Sequence, residues 1–359
     1  MMNIEELKKQ IGSLINPDTT HTLAADKVLI NLTQDKQLNV ELIFPYPVQK
    51  HQLRLQEEFT QGIEKLVTDL EIQVSVQQKI VAHQVQQGVS TLKGVKNIIA
   101  VASGKGGVGK STTTANLAYA LNQLGAKVGV LDADIYGPSQ PMMMGVLDKE
   151  PEQKEHVFVP VRNKEGIQVM SIGFLVEDNQ AMVWRGPMVS QALQQLIFQS
   201  EWDDLDYLIV DLPPGTGDVQ LTLAQKIPVT GALVVTTPQD IALIDAKKAI
   251  DMFGKVNIPI MGILENMSTH ICSQCGHVEA IFGQGGGDKL AEENHVPLLG
   301  QLPLSLPVRE AMDDGQLAKL HQQETKIAQI YEEVALKLAV SVAQKSKDFS
   351  SKIPKIVVE

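Results

Sequence analysis

Apolar residues recur along this chain in two rhythms, and the change between them separates a small unit from a large one. Ile4, Leu7, Ile11 and Leu14 fall on one face of a helix that Asn3 and Glu6 open. Val28, Ile30 and Leu32, then Val40, Leu42 and Phe44, alternate with residues of mixed polarity. They predict two half-buried strands joined by a hairpin near Gln34-Asp35-Lys36-Gln37. A second helix over 52–69 and a third alternating strand on Ile72, Val74 and Val76 complete an α-β-β-α-β unit over residues 1–82. The stretch after it is rich in glutamine and has no period, so residues 83–94 read as a linker.

From residue 95 the apolar positions run together instead of alternating, as in strands buried on both faces. Such runs cover 97–102, 127–132, 207–211, 232–236, 260–265 and 297–302. Helical segments fall between them, including 115–125, which stops at Gly125, and 241–253, which opens after Asp240. Alternating strands and helices predict a mostly parallel α/β sheet with helices on both faces over residues 95–345, followed by a short tail, 346–359.

Composition narrows the partners. The 359 residues carry a formal net charge of -11 and no dense basic run, which argues against a nucleic-acid partner. No apolar run reaches the roughly 18 to 20 residues of a membrane span. Glu5 and Glu6 near the start do not suit a signal peptide, so the expected location is the cytoplasm, with no membrane partner. Two cysteines, Cys272 and Cys275, are too few for a disulfide framework and invite a chemical reading.

The chemistry starts between the first buried strand and its helix. Gly104-Lys105-Gly106-Gly107-Val108-Gly109-Lys110-Ser111-Thr112 fits the phosphate-loop pattern without a mismatch and predicts ATP binding. Glycines let backbone N–H groups converge on phosphate oxygens, and the next helix turns its positive end toward the same anion. Lys110 supplies a charge for the β- and γ-phosphates, and the Ser111 hydroxyl is placed for magnesium. Asp132 and Asp134 stand at the exit of one buried strand, where ligand-binding residues gather in open α/β sheets. Asp211 closes another strand in the Walker B manner, as a magnesium residue acting through water, ahead of Pro213-Pro214-Gly215-Thr216-Gly217.

The second lysine of the loop, Lys105, resembles the deviant Walker A of the family that includes MinD, ParA, the nitrogenase iron protein and the arsenite and tail-anchored-protein ATPases. The resemblance implies a homodimer in which Lys105 reaches the other subunit's nucleotide. It further implies that Asp134 positions the attacking water, that Asp132 supports magnesium less directly, that 213–217 senses the γ-phosphate and that Asn266 contacts adenine.

Cys272-Ser273-Gln274-Cys275 is a C-x-x-C pair, and zinc sites and cubane clusters alike take about four protein ligands. Two copies of the pair meeting on a two-fold axis would supply four thiolates. Structural zinc and a redox dithiol are the competing readings of the pair. Together with Trp184-Arg185-Gly186-Pro187-Met188 and Glu265-Asn266-Met267-Ser268, these motifs resemble the Mrp/ApbC family of iron-sulfur cluster carriers over about 95–345. The N-terminal unit resembles a small domain fused to iron-sulfur assembly factors, without its usual cysteine. The resemblance implies a 4Fe-4S cluster bridging the dimer, slow ATP hydrolysis, and exchange of clusters with scaffold proteins and apo-proteins. The alternatives are a spatial regulator of the MinD or ParA kind and a zinc-stabilised targeting ATPase. Met142-Met143-Met144 is too short for the latter's hydrophobic-segment site and reads as packing.

Overall fold

The computed structural model describes residues 3–34, 37–67, 69–86, 89–155, 157–175, 186–272, 274–322 and 325–348. The centre of the expected hairpin turn, Trp184, Arg185 and the tail beyond 348 lie outside the described residues.

The N-terminal unit follows the expected order. Asn3 caps the helix Ile4–Gly12 by accepting from the amides of Glu5 and Glu6. Strands β1 (Leu29–Gln34) and β2 (Leu38–Phe44) pair antiparallel, and β3 (Ile72–Gln78) adds parallel to β2. The helix Gln52–Glu64 buries Leu55, Phe59 and Ile63. It closes five residues short of the sequence reading, because the amides of Leu66 and Val67 both turn back to the Ile63 carbonyl.

In the large unit, β4 (Val95–Ala102), β5 (Val128–Asp132), β9 (Gln168–Ser171), β10 (Leu205–Asp211), β11 (Gly231–Thr236), β12 (Ile260–Ile271) and β14 (Leu298–Leu304) form a parallel sheet ordered β9-β5-β10-β4-β11-β12-β14. β8 (Val161–Arg162) adds antiparallel to β9, β13 (Val278–Glu279) pairs antiparallel with the last two residues of β12, and β6 (Glu152–Lys154) and β7 (Val157–Val159) make a separate hairpin. Alternate residues of β4 feed opposite faces, as the pleat requires. Ile98 and Ala100 pack with Leu193, Leu223 and Phe253, from the helices Gly186–Phe198, Asp218–Lys226 and Asp240–Lys255. Ile99 and Val101 pack with Leu117, Leu121 and Leu338, from Lys110–Gln123 and Lys326–Ala343. Among the described residues no helix is long and apolar enough to cross a membrane.

The two units share one apolar core. The Gln49 amide donates to the Leu124 carbonyl at 2.9 Å, and Gln78 Nε2 to the Gly125 carbonyl at 2.7 Å, so the small unit sits on the far end of the phosphate-loop helix. Residues 83–86 and 89–94 carry contacts of their own. His83 is buried and bonds Asn97, Gln86 bonds the carbonyls of Ala224 and Ile227, and Leu92 is buried.

His51 lies between Asp18 of its own unit, at 2.8 Å, and Glu332 of the large unit, at 2.9 Å. The hydrogen bonds it donates to these two carboxylates raise its pKa from 6.5 to about 9. A histidine whose folded pKa is raised stabilises fully below its unfolded value and loses that contribution as pH climbs through the folded one. The melting temperature should therefore fall between about pH 6.5 and 9, and more steeply than in His51→Gln. Parallel melting curves across that range would disprove this stabilising role of His51.

Candidate functional site

The phosphate loop leaves the C-terminal end of the central strand β4, with β10 and β5 on one side and β11 and β12 on the other. Every functional segment therefore emerges at one edge of the sheet. Gly106 and Gly107 are exposed at the mouth, Val108 is buried, and Gly109 precedes the helix that Lys110, Ser111 and Thr112 begin.

Two of the loop's glycines are needed for close approach. A Cβ on Gly104 would stand 2.1 Å from the Asp245 carbonyl carbon and oxygen, so the loop lies directly on the helix Asp240–Lys255. Gly109 has φ of +84°, and a Cβ there would meet Asn266 Nδ2 at 2.1 Å. That nitrogen donates to the Val108 carbonyl at 2.9 Å, while the Met267 amide donates to Asn266 Oδ1 at 2.9 Å. Asn266 thus braces the phosphate-loop backbone from β12. Half-buried Lys105 points its ammonium toward Gln239 Oε1, 3.5 Å away.

Lys110 is buried, and its ammonium lies 2.5 Å from Asp211 Oδ1 and 3.6 Å from Asp134 Oδ2. Ser111 Oγ is 3.5 Å from the same nitrogen. Asp211 is fully buried. Its Oδ1 also faces the Thr114 hydroxyl at 3.3 Å, and its Oδ2 accepts from Gln140 Nε2 at 2.9 Å. Burial raises the Asp134 carboxyl above its ordinary range, against the opposing pull of Lys110.

Asp132 pairs with Asp211 in the register of β5 and β10, and both are buried. Desolvation, followed by the neighbouring Asp211 charge, pushes Asp132 up to about 7. Its oxygens are already engaged. Oδ2 accepts from the amides of Ser139 and Gln140 and from the Ser171 hydroxyl, and Oδ1 accepts from the Asp134 amide. The geometry makes Asp132 the organiser of the 134–140 loop.

The loop after β10 is tied to the phosphate loop. The Gly215 amide donates to the Ser103 carbonyl at 2.9 Å, and the Ser103 hydroxyl donates to the Lys105 carbonyl at 2.9 Å. Displacing one loop therefore pulls on the other.

Cys272 and Cys275 sit apart from this cluster, on the turn between β12 and β13. The Cys272 amide donates to the His277 carbonyl, and the Gly276 amide to the Cys272 carbonyl, each at 2.9 Å, closing a tight turn with both thiols free. Cys275 is exposed and Cys272 partly so. Hydrogen bonds from the backbone of Cys275 and Gln274 lower the Cys272 pKa, which favours the thiolate that binds metals. Among the described residues no group of three or more His, Cys, Asp or Glu side chains is assembled to hold a metal.

β12 is longer than its apolar run. It continues past Glu265 to Ile271, with a register irregularity between Glu265 and Thr269 and a positive φ at Met267. Glu265 holds the irregularity in place by accepting from the Gly287 amide, the Ser268 hydroxyl and Gln301. One strand thereby carries both the brace of the phosphate loop and the cysteine turn.

Sequence reasoning missed Gln140 and Thr114. A glutamine between Ser139 and Pro141, and a threonine in a run of three, carry no motif, and only the fold brings them onto Asp211.

The family described as ParA, NUBPL iron-transfer P-loop NTPase, has a model that matches residues 94–339. The iron-sulfur cluster carrier protein of Salmonella typhimurium is 50% identical over 335 residues, covering 92% of this chain and 91% of that protein. The iron-sulfur cluster transfer protein NUBPL of Mus musculus is 49% identical over 246 residues, covering 68% of this chain and 77% of its own. Among solved structures, the nucleotide-binding protein of Archaeoglobus fulgidus in complex with ADP matches with a TM-score of 0.56 at 35% identity, over 63% of this chain and 89% of that one.

Proposed function

Because the chain belongs to the family of NUBPL iron-transfer P-loop NTPases, we propose that it is an ATP-hydrolysing carrier that holds a 4Fe-4S cluster between two copies of itself and passes it to apo-proteins. The observation that carries this reading is the exposed turn of Cys272 and Cys275 on the strand that also braces the phosphate loop. A cubane cluster takes about four thiolates, one chain offers two, and a two-fold dimer supplies the rest. The cluster is cargo, received from a scaffold protein and released to an acceptor in the cytoplasm.

The nucleotide site has the donor set that a magnesium nucleotide needs. Ser111 and Asp211 offer hard oxygens suited to magnesium, and the Lys110 ammonium now rests against Asp211 and Asp134 as a positive charge in that place. When bound, magnesium neutralises charge on the phosphoryl oxygens. Lys110 turns to the β- and γ-phosphates, Asp134 orients the attacking water, and Asp132 keeps the 134–140 loop in shape. Beyond its two bonds Asn266 keeps a second amide hydrogen and a second lone pair, which it offers to adenine. Loss of the γ-phosphate frees the 213–217 loop, which is bonded to Ser103.

Lys105 is the trans-acting lysine of this scheme. Lys105→Ala should still bind ATP but lose ATP-dependent dimer closure and most hydrolysis. Light scattering with and without ATP checks this, and unchanged closure would remove the trans role.

The carrier reading is tested by anaerobic reconstitution followed by incubation with an apo 4Fe-4S acceptor. Recovery of acceptor activity at a rate that free iron and sulfide do not match supports it. Stoichiometric zinc with no transferable iron would favour a structural zinc site instead.

A further inference from the structure

Gln140 opens the short helix Gln140–Met143, directly after the loop that Asp132 organises. Its side chain is fully buried. Nε2 donates to the Ser111 carbonyl at 3.0 Å and to Asp211 Oδ2 at 2.9 Å. Both partners are acceptors, so the bonding itself fixes which end of the amide is nitrogen. Oε1 then lies about 2.2 Å from that nitrogen by amide geometry, beside the same two groups. It is buried and has no hydrogen-bond partner among the described residues.

A buried acceptor beside two functional groups needs a donor, and the described side chains do not supply one. Lys110 gives its charge to Asp211 and Asp134, and those carboxylates only accept while ionised. The donor that a filled nucleotide site adds beside Ser111 and Asp211 is water held by a divalent cation, whose protons are strongly polarised. We propose that Gln140 is a positioning residue for magnesium, accepting a hydrogen bond from a metal-held water through Oε1 while Nε2 keeps Asp211 and the first helical turn in register. The proposal rests on the site being a magnesium nucleotide site. It adds that the loop after Asp132 senses the metal through one side chain, in the way outer partners orient metal ligands elsewhere.

The test measures binding of a fluorescent ADP analogue to the full chain, in EDTA and across a magnesium series, for wild type, Gln140→Met and Gln140→Glu. Met fills the space without an acceptor, and Glu keeps an acceptor oxygen. With EDTA, the Met variant should bind within about twofold of wild type. Its half-saturating magnesium should rise about tenfold or more, the range found when outer partners of metal sites are removed. Gln140→Glu keeps an acceptor but loses the Nε2 donor and sets a second carboxylate against Asp211. Its affinity in EDTA should therefore fall, while its half-saturating magnesium does not rise as the Met variant's does. A rise equal to the Met variant's overturns the proposal. A Met variant with wild-type magnesium dependence overturns the proposal, and so does an equal loss of affinity with and without magnesium, which marks a structural role only. If melting curves reveal that the Met variant is unfolded, Gln140→Asn, which withdraws the acceptor by one methylene, takes its place with the same expected shift. Wild type that binds no nucleotide in either condition overturns the reading of the site itself and this proposal with it.

Discussion

Lys110→Ala is expected to reduce ATP hydrolysis by about 10²- to 10³-fold, the loss typical when one preorganised charge is removed from a reacting centre. Nucleotide affinity should fall too, because in the proposed site this ammonium is the main cation for the β- and γ-phosphates. The surrounding charges set how the protein tolerates the change. Asp211 and Asp132 are fully buried, Asp134 is partly so, and Lys110 is the ammonium that contacts Asp211 and Asp134. Removing one partner of a buried ion pair usually costs about 3–5 kcal/mol. Here a proton can replace part of the lost charge, because Asp132 is already pushed up to about 7. A carboxyl whose folded pKa is raised stabilises the fold below its unfolded value and loses that contribution as pH rises through the folded one. The variant should therefore be closest to wild type in stability near pH 5 and fall behind as pH passes 7. Steady-state turnover and melting curves from pH 5 to 8 measure both effects. Wild-type hydrolysis in clean Lys110→Ala would end the phosphate-loop assignment.

The second large effect is expected at the cysteine turn. Cys272→Ser and Cys275→Ser would each delete two thiolates from the proposed symmetric four-thiolate site, and a serine hydroxyl does not ionise near neutral pH to replace them. Iron bound after anaerobic reconstitution should drop from about four to less than about one per dimer. Cluster transfer should disappear with it. The turn itself should survive, since it is closed by backbone bonds between Cys272, Gly276 and His277. ATP hydrolysis should persist, because Lys110, Asp134 and Asp211 make no contact with the thiols in the hydrogen-bond or ion-pair network described above. A variant that keeps a full transferable cluster contradicts the four-thiolate site. Loss of folding together with hydrolysis in both variants would point to structural zinc.

Much of this organisation is legible in the chain because its signals are local. Buried parallel strands read as unbroken apolar runs, and the phosphate loop is a contiguous string whose chemistry needs no tertiary context. What is hidden depends on residues far apart in sequence. The extension of β12 past Glu265 carries Asn266, Ser268, Thr269 and His270, polar residues that end the apolar run although backbone pairing to β14 continues. Gln140 becomes part of the site only when β5 and β10 place Asp132 and Asp211 side by side. The seat of the N-terminal unit uses the carbonyls of Leu124 and Gly125, which no side-chain pattern can reveal.

Native mass spectrometry of the anaerobically reconstituted full chain tests the central claim most directly. The account predicts a species of two chains carrying one 4Fe-4S cluster, converting to separate cluster-free chains when both cysteines are replaced by serine. A single chain holding a complete cluster, or two chains that retain the cluster without the cysteines, would contradict it.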